Sequence, residues 1–405
     1  MWYVSRSIRF LILLCLGLAM ASCRFDDSLR GTIGADSGAA DDHSLSASSV
    51  KKTSAAPILA ASGTSSDAYY YLISIAGGWQ PMTFVYDNDV YFAIPSKYAD
   101  AGSGGWHLSF AVWEPDTATA SWVDGDSGTG GIQEVISKTD LDVNGFNTES
   151  FFNVRLTDDG GTLKGVVSKW FRSTNYTFLP SNSYYMTGFS ATSFATISSS
   201  SLLVPTNPST GAGGFADKGF DAADDTWQGE TIRVFDVQKV GSTFYVYLTT
   251  RNNPTNDTYY ISVMTTTDFI SFTKPTNYLL EGYSRAEVFV YDGGYYMVAF
   301  NHSTLKYNLI PGDSPTSFDV SKATELAVGE LNIGLGGWDE STSFSSLASG
   351  YEPILAGVEV VDGRVWLFYL AGGDDPAHFN AVAEFTNVPY DGPRGIGVIE
   401  LVIDP

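Results

Sequence analysis

Cysteine is nearly absent from this chain. Its 405 residues hold two, Cys15 and Cys23. Beyond residue 23 there is therefore neither a disulfide nor a thiolate metal site, and stability has to come from packing. Histidine is scarce, with four residues and no HExxH or paired spacing, which argues against a histidine-held metal. Positive charge is scarce too: 22 Lys and Arg stand against 45 Asp and Glu, a net charge of -23. Such a balance argues against a nucleic-acid partner, whose phosphates demand a basic surface. Neither "GTGG" (128–131) nor "GAGG" (211–214) is followed by Lys-Ser/Thr, so neither is a phosphate loop, and no Gly-x-Ser-x-Gly elbow occurs. The acidic run "DKGFDAADD" (217–225) offers carboxylates that suit Ca²⁺ but lacks the EF-hand spacing and reads as a solvated loop.

What is present begins with a leader. Arg6 and Arg9 precede the apolar "FLILLCLGLAM", which is short for a membrane span. The stretch ends in "AMASC", and small residues before Cys23 resemble a bacterial lipoprotein signal, with Met20 where Leu is usual. That resemblance implies a signal peptide over 1–22, export, acylation of Cys23 and a membrane anchor at the bacterial cell envelope, at the outer membrane, in the periplasm or on the cell surface. An ordinary secretory signal cut nearby is the alternative. Residues 23–66, rich in Ser, Ala, Gly and Asp, read as a disordered tether.

From residue 67 the pattern changes. Aromatics make up 14% of the chain and glycine contributes 41 residues, a profile of strands and turns. A hairpin recurs five times: "MTFVYDNDVYFAI" (82–94), "FFNVRLTDDGGTLKGVVSKW" (151–170), "TIRVFDVQKVGSTFYVYLTT" (231–250), "EVFVYDGGYYMVAF" (287–300) and "VEVVDGRVWLFYL" (358–370). Asp, Asn and Gly sit at the corners, as tight β-turns require. A third strand follows each hairpin. Tyr91, Val166, Tyr245, Tyr295 and Trp366 hold similar places in the second strands. Sheets repeated at this interval form propeller blades. The fold expected over 67–405 is all-β, a single five-bladed β-propeller; a β-sandwich of similar strand count is the alternative.

In such a fold the first strand of each blade starts on one face of a central channel, and the loops between second and third strands reach the same face. The residues brought there are Trp79, Gln80, Glu149, Trp227, Glu230, Arg285, Glu287, Tyr351 and Glu352 at strand entrances, with Trp106, His107, Trp170, His302 and His378 in loops. Aromatic rings beside polar groups suit a sugar, which offers C–H faces and hydroxyls together; each ring taken singly is as well explained by packing between blades.

The hairpin "SRAEVFVYDGGYYMVAF", the corner "ISVMTTTDFISFTKP" and "DGRVWLFYLAGG" resemble the five-bladed glycoside hydrolases of families 43 and 32. The resemblance implies a carbohydrate site over the channel, with an aspartate in blade 1, an aspartate in blade 3 and a glutamate acid in blade 4. Hydrolysis needs two carboxyls flanking the glycosidic bond. Here the first slot aligns with Gln80, a neutral amide unable to act as base, and the fourth with Ser284. Glu287 lies three residues on, where strand alternation turns it to the opposite face. Glu230, Glu149 and Glu352 are the replacement carboxyls. Two functions stay open: a glycosidase with rearranged carboxyls, or a glycan-binding or surface-interaction propeller that does no chemistry.

Overall fold

The computed structural model describes residues 50–52, 58–60, 82–97, 106–123 except 116 and 118, 136–137, 151–170, 184–203 except 194–195, 198–200 and 202, residue 227, 233–251, 258–326 except 305, 354–372 and 394–403. The signal peptide and Cys23 lie outside these residues. Strands dominate, and no α-helix occurs among the described residues.

Two short strands open the fold, β1 (Val50–Lys52) and β2 (Leu59–Ala60). Five antiparallel sheets follow. The first contains β3 (Met82–Tyr86), β4 (Asp89–Lys97), β5 (Trp106–Trp113), β6 (Ser121–Trp122) and β7 (Ile136–Ser137). The second contains β8 (Phe151–Asp159), β9 (Thr162–Trp170) and β10 (Tyr184–Ala191). The third is β11 (Arg233–Val240), β12 (Thr243–Arg251), β13 (Tyr259–Thr266) and β14 (Leu280–Glu281). The fourth is β15 (Tyr283–Tyr291), β16 (Gly294–Asn301), β17 (Lys306–Ser314), β18 (Ser317–Phe318) and β19 (Thr324–Leu326). The fifth is β20 (Ile354–Val361), β21 (Arg364–Gly372) and β22 (Arg394–Leu401), with β1 and β2 both paired to β22. All five expected hairpins and their third strands are therefore present.

Each hairpin closes through a two-residue turn, as the pairs Tyr86↔Asp89, Asp159↔Thr162, Val240↔Thr243, Tyr291↔Gly294 and Val361↔Arg364 require. Asp87–Asn88, Asp292–Gly293 and Asp362–Gly363 have positive φ at both positions. This left-handed geometry matches strand twist and explains the Asp, Asn and Gly at the corners. Measured from these turns, Tyr91, Tyr245 and Trp366 are equivalent. Val166 is displaced by two positions and Tyr295 by one, so the aromatic repeat is less regular than the sequence alone indicates.

The first strands β3, β8, β11, β15 and β20 each lie against the next, and β20 lies against β3. The core sits between sheets rather than in two layers. Val166 and Met186 of the second sheet pack with Val234, Val246 and Met264 of the third. Tyr247 and Ile261 of the third pack with Val288 and Met297 of the fourth, and Phe289 and Tyr307 of the fourth with Leu367 and Ile399 of the fifth. The fifth meets the first through Trp366, Phe368, Phe92 and Trp113, with Trp113 and Trp366 edge to face at 5.0 Å.

The tether expected over 23–66 is corrected in part. Ile58 is buried in the cluster between fifth and first sheets. Its N–H donates to the Ile396 carbonyl at 2.8 Å, and its own carbonyl accepts from the Ala120 N–H at 2.7 Å. Val50–Lys52 pairs with Leu401–Ile399. The Ser/Ala-rich composition hid a few apolar residues that the last sheet uses as an outer strand. Ile58→Ala removes a side chain joining two sheets and is expected to cost about 2–5 kcal/mol, read as a lower urea midpoint with an unchanged slope.

Candidate functional site

Three acids and one base stand between apolar neighbours in the first strands: Arg155 in "VRL", Asp236 in "VFDV", Glu287 in "AEVF" and Glu359 in "VEVV". Arg155, Asp236 and Glu287 each lie four residues before the hairpin corner, at one level of neighbouring strands. Arg155 is 1% exposed and Glu287 2%. The Arg155 guanidinium donates through Nη2 to Glu287 Oε1 and through Nη1 to the Thr83 carbonyl at 3.4 Å. Thr83 Oγ1 in turn donates to Glu359 Oε1 at 2.7 Å. Asp236 accepts from the Val237 N–H at 2.7 Å, the Val288 N–H at 2.8 Å and Gln238 Nε2 at 3.1 Å. Every one of the five first strands thus contributes to one polar network.

Backbone irregularity makes this convergence. The ladder slips between Val234 and Asp236, between Ser284 and Glu287, and between Leu355 and Gly357. Such bulges re-aim the side chains that follow them. Gly357 is required where β20 meets β3, because a Cβ there would lie 1.7 Å from Thr83 Oγ1.

Burial raises all three carboxyls. Glu287 is pushed well above its ordinary range by burial, against the pull of Arg155 and with Asp236 and Glu359 adding to the rise. Burial also lifts Asp236, opposed by Arg155 and by its backbone and Gln238 hydrogen bonds. Glu359 is driven up to about 8, chiefly by burial, with Thr83 and Arg155 opposing and Asp236 adding. One guanidinium cannot neutralise three carboxylates in a dry site, so protons are held there.

Above this network the start of β15 forms a second cluster. Ser284 Oγ and His302 Nε2 are 2.8 Å apart. The His302 ring stacks on Tyr259 at 4.0 Å and 2°, tying the third sheet to the fourth, and meets Phe300 edge-on at 5.1 Å. Arg285 has φ 57, a left-handed conformation held by its N–H donating to Thr249 Oγ1 at 3.0 Å. Its guanidinium lies 5.4 Å from the Phe300 ring centre and donates to the Tyr307 hydroxyl at 3.3 Å.

The expected site residues divide accordingly. Arg285 and His302 are brought together around Phe300. Glu287 is a correction: the bulge after Ser284 cancels simple alternation and turns it into the axial network. Trp227 is another, since it is 9% exposed, packs with Val234 and Leu248, and has the Lys274 ammonium 5.8 Å from its ring centre. It fills the space between sheets rather than facing a ligand. Trp106, His107 and Trp170 are in β5 and β9, at the end of each sheet where the first strand begins. Trp79, Gln80, Glu149, Glu230, Tyr351, Glu352 and His378 lie outside the described residues. Arg155, Asp236 and Glu359 were missed. Their only local signal is a charge flanked on both sides by apolar residues of a first strand.

The chain matches no family model and no curated protein sequence. It is similar in structure to a family 43 enzyme from Xanthomonas citri complexed with xylotriose, with a TM-score of 0.46, 11% identity and coverage of 83% of this chain and 91% of that one. A family 117 glycoside hydrolase from Zobellia galactanivorans gives 0.44 at 10% identity, over 79% of this chain and 82% of that one. A family 32 β-fructofuranosidase from Bombyx mori in complex with sucrose gives 0.41 at 12% identity, over 75% of this chain, which spans 57% of that enzyme.

Arg155→Met leaves buried acids without their cation and is expected to cost about 3–5 kcal/mol, measured by urea unfolding at pH 7, with a smaller loss at pH 5. For the unaltered protein, Glu359 binds its proton more tightly folded than unfolded. Unfolding free energy is therefore expected to fall as pH rises from about 4.5 to about 8 and to level beyond. A denaturation series across that range reads it, and Glu359→Gln should flatten the slope.

Proposed function

We propose that the chain is a five-bladed β-propeller of glycosidase type that binds carbohydrate at the mouth of its central channel, exported and held at the bacterial cell envelope by a lipid on Cys23. Five sheets whose first strands neighbour one another in cyclic order support the five blades. The leader ending in "AMASC" supports the anchor. One observation carries the preference for binding over hydrolysis. In the fourth sheet the slot that the resemblance gives to a glutamate acid holds Ser284, hydrogen-bonded to His302, while the next acid, Glu287, is buried against Arg155. Among the described residues, neither Ser284 nor Glu287 supplies an accessible carboxyl at that slot to protonate a leaving group. The sheet offers instead a stacked Tyr259–His302 pair, Arg285 over Phe300, and Asn301 bonded to the Tyr283 hydroxyl at 3.0 Å, groups that match sugar rings and hydroxyls.

A second reading, hydrolysis with rearranged carboxyls, draws on Glu149, Glu230 and Glu352. In sequence these stand two or three residues ahead of β8, β11 and β20. A glycan array probed with the exported form, residues 23–405 carrying Cys23→Ser, with released reducing sugar measured in parallel, distinguishes the two. The expected outcome is saccharide retained without turnover, with affinity reduced about tenfold or more in Arg285→Ala, the loss expected when a charge-assisted hydrogen bond goes. Turnover abolished by Glu230→Gln would establish the second reading, and retention of no saccharide would overturn both.

A further inference from the structure

The axial network and the channel mouth share one segment, the β15 bulge. Its upstream end is pinned by Ser284 on His302 and by the Arg285 N–H on Thr249. Its downstream end is pinned by Glu287 on Arg155 and by the Val288 N–H on Asp236. Between these pins Arg285 and Ala286 stand opposite the single residue Ala299, with Arg285 in the left-handed region. This conformation is strained for a non-glycine residue and persists only while its surroundings hold it. Arg155 is also linked to a second acid through Thr83. It donates to the Thr83 carbonyl, and the Thr83 hydroxyl donates to Glu359. Arg155 Nε has no hydrogen-bond partner among the described residues and is a spare donor.

We propose that the axial network is a proton-controlled latch on the channel mouth: while Glu359 holds a proton, Arg155 is committed to Glu287 and the β15 bulge presents Arg285, and when that proton leaves, Glu359 competes for Arg155 and the bulge loosens. The charged groups that face one another are Arg155 from β8, Asp236 from β11, Glu287 from β15 and Glu359 from β20; β3 supplies the neutral Thr83. Burial, reinforced by Asp236, puts the Glu359 proton within reach of mildly alkaline solution. The deprotonated acid gains a claim on the guanidinium that its neutral form lacks. Arg155 and Glu359 act here as positioning residues, since neither is at the mouth. The inference rests on the binding reading for its ligand readout alone.

The test uses the exported form with Cys23→Ser. Four histidines make ¹³C-histidine spectra countable, and His302→Gln assigns the His302 signal. Between pH 7 and 9.5 the His302 signal is expected to show a step centred near pH 8, absent in Glu359→Gln. In Thr83→Val, which removes a hydrogen bond that favours the ionised acid, the step should move to higher pH. Affinity for the array's retained saccharide should fall about threefold or more from pH 7 to 9 and stay constant in Glu359→Gln. Identical His302 profiles in the unaltered protein and in Glu359→Gln would overturn the latch. Should Glu359→Gln not fold, an unmoved step in Thr83→Val overturns it. Absence of any retained saccharide removes the binding reading and leaves the histidine signal to decide the latch.

Discussion

A single buried guanidinium organises this molecule. Arg155 is the cation in a network that draws on all five first strands, and the three acids around it are tolerable only because it is there. Apolar packing between sheets supplies most of the stabilisation, but such packing is non-directional. Hydrogen bonds and charge at the axis specify how the first strands stand relative to one another, and each donor leaves a debt elsewhere if it moves. Three ladder slips and a close approach at Gly357 are what the backbone gives up to bring these groups together.

The mouth inherits its geometry from that floor. The residues between Ser284 and Glu287 have no freedom of their own, because both ends are fixed to other strands. This explains how an arginine can stand in a left-handed conformation without glycine's permissiveness. The upstream end is braced further: Ser284 and His302 form a hydrogen bond, and the Tyr259 ring stacks on the imidazole from the neighbouring sheet.

The hairpins were legible because their corners obey strict backbone chemistry. Asp87–Asn88 and Asp362–Gly363 announce two-residue turns to any reader of the sequence. Strand pairing then follows from period-two alternation. Less could be read where alternation is broken. Glu287 was assigned to the wrong face because a bulge is a tertiary choice with no local signature in "YSRAEVF". Trp227 carried the right chemistry for a sugar but is consumed by packing against Val234 and Leu248. Isolated charges such as Asp236 looked like ordinary strand residues because a partner 52 positions away, the Val288 N–H, cannot be inferred from composition. Val50–Lys52 and Ile58 were overlooked for the reverse reason: a few apolar residues within a polar stretch are too short a signal.

The outermost strand of the fifth sheet has a bearing on how the protein is made. Val50 pairs with Leu401 and Leu59 with Ile396, so β1 and β2, made early, wait for β22, made about 340 residues later. Until synthesis reaches β22, the Trp113–Trp366 seam lacks Ile396 and Val398, and the incomplete chain carries an apolar edge prone to association. Synthesis of β22 is thus a checkpoint: a chain stopped before residue 394 would lack that strand, leaving β1 and β2 without the partner both of them use.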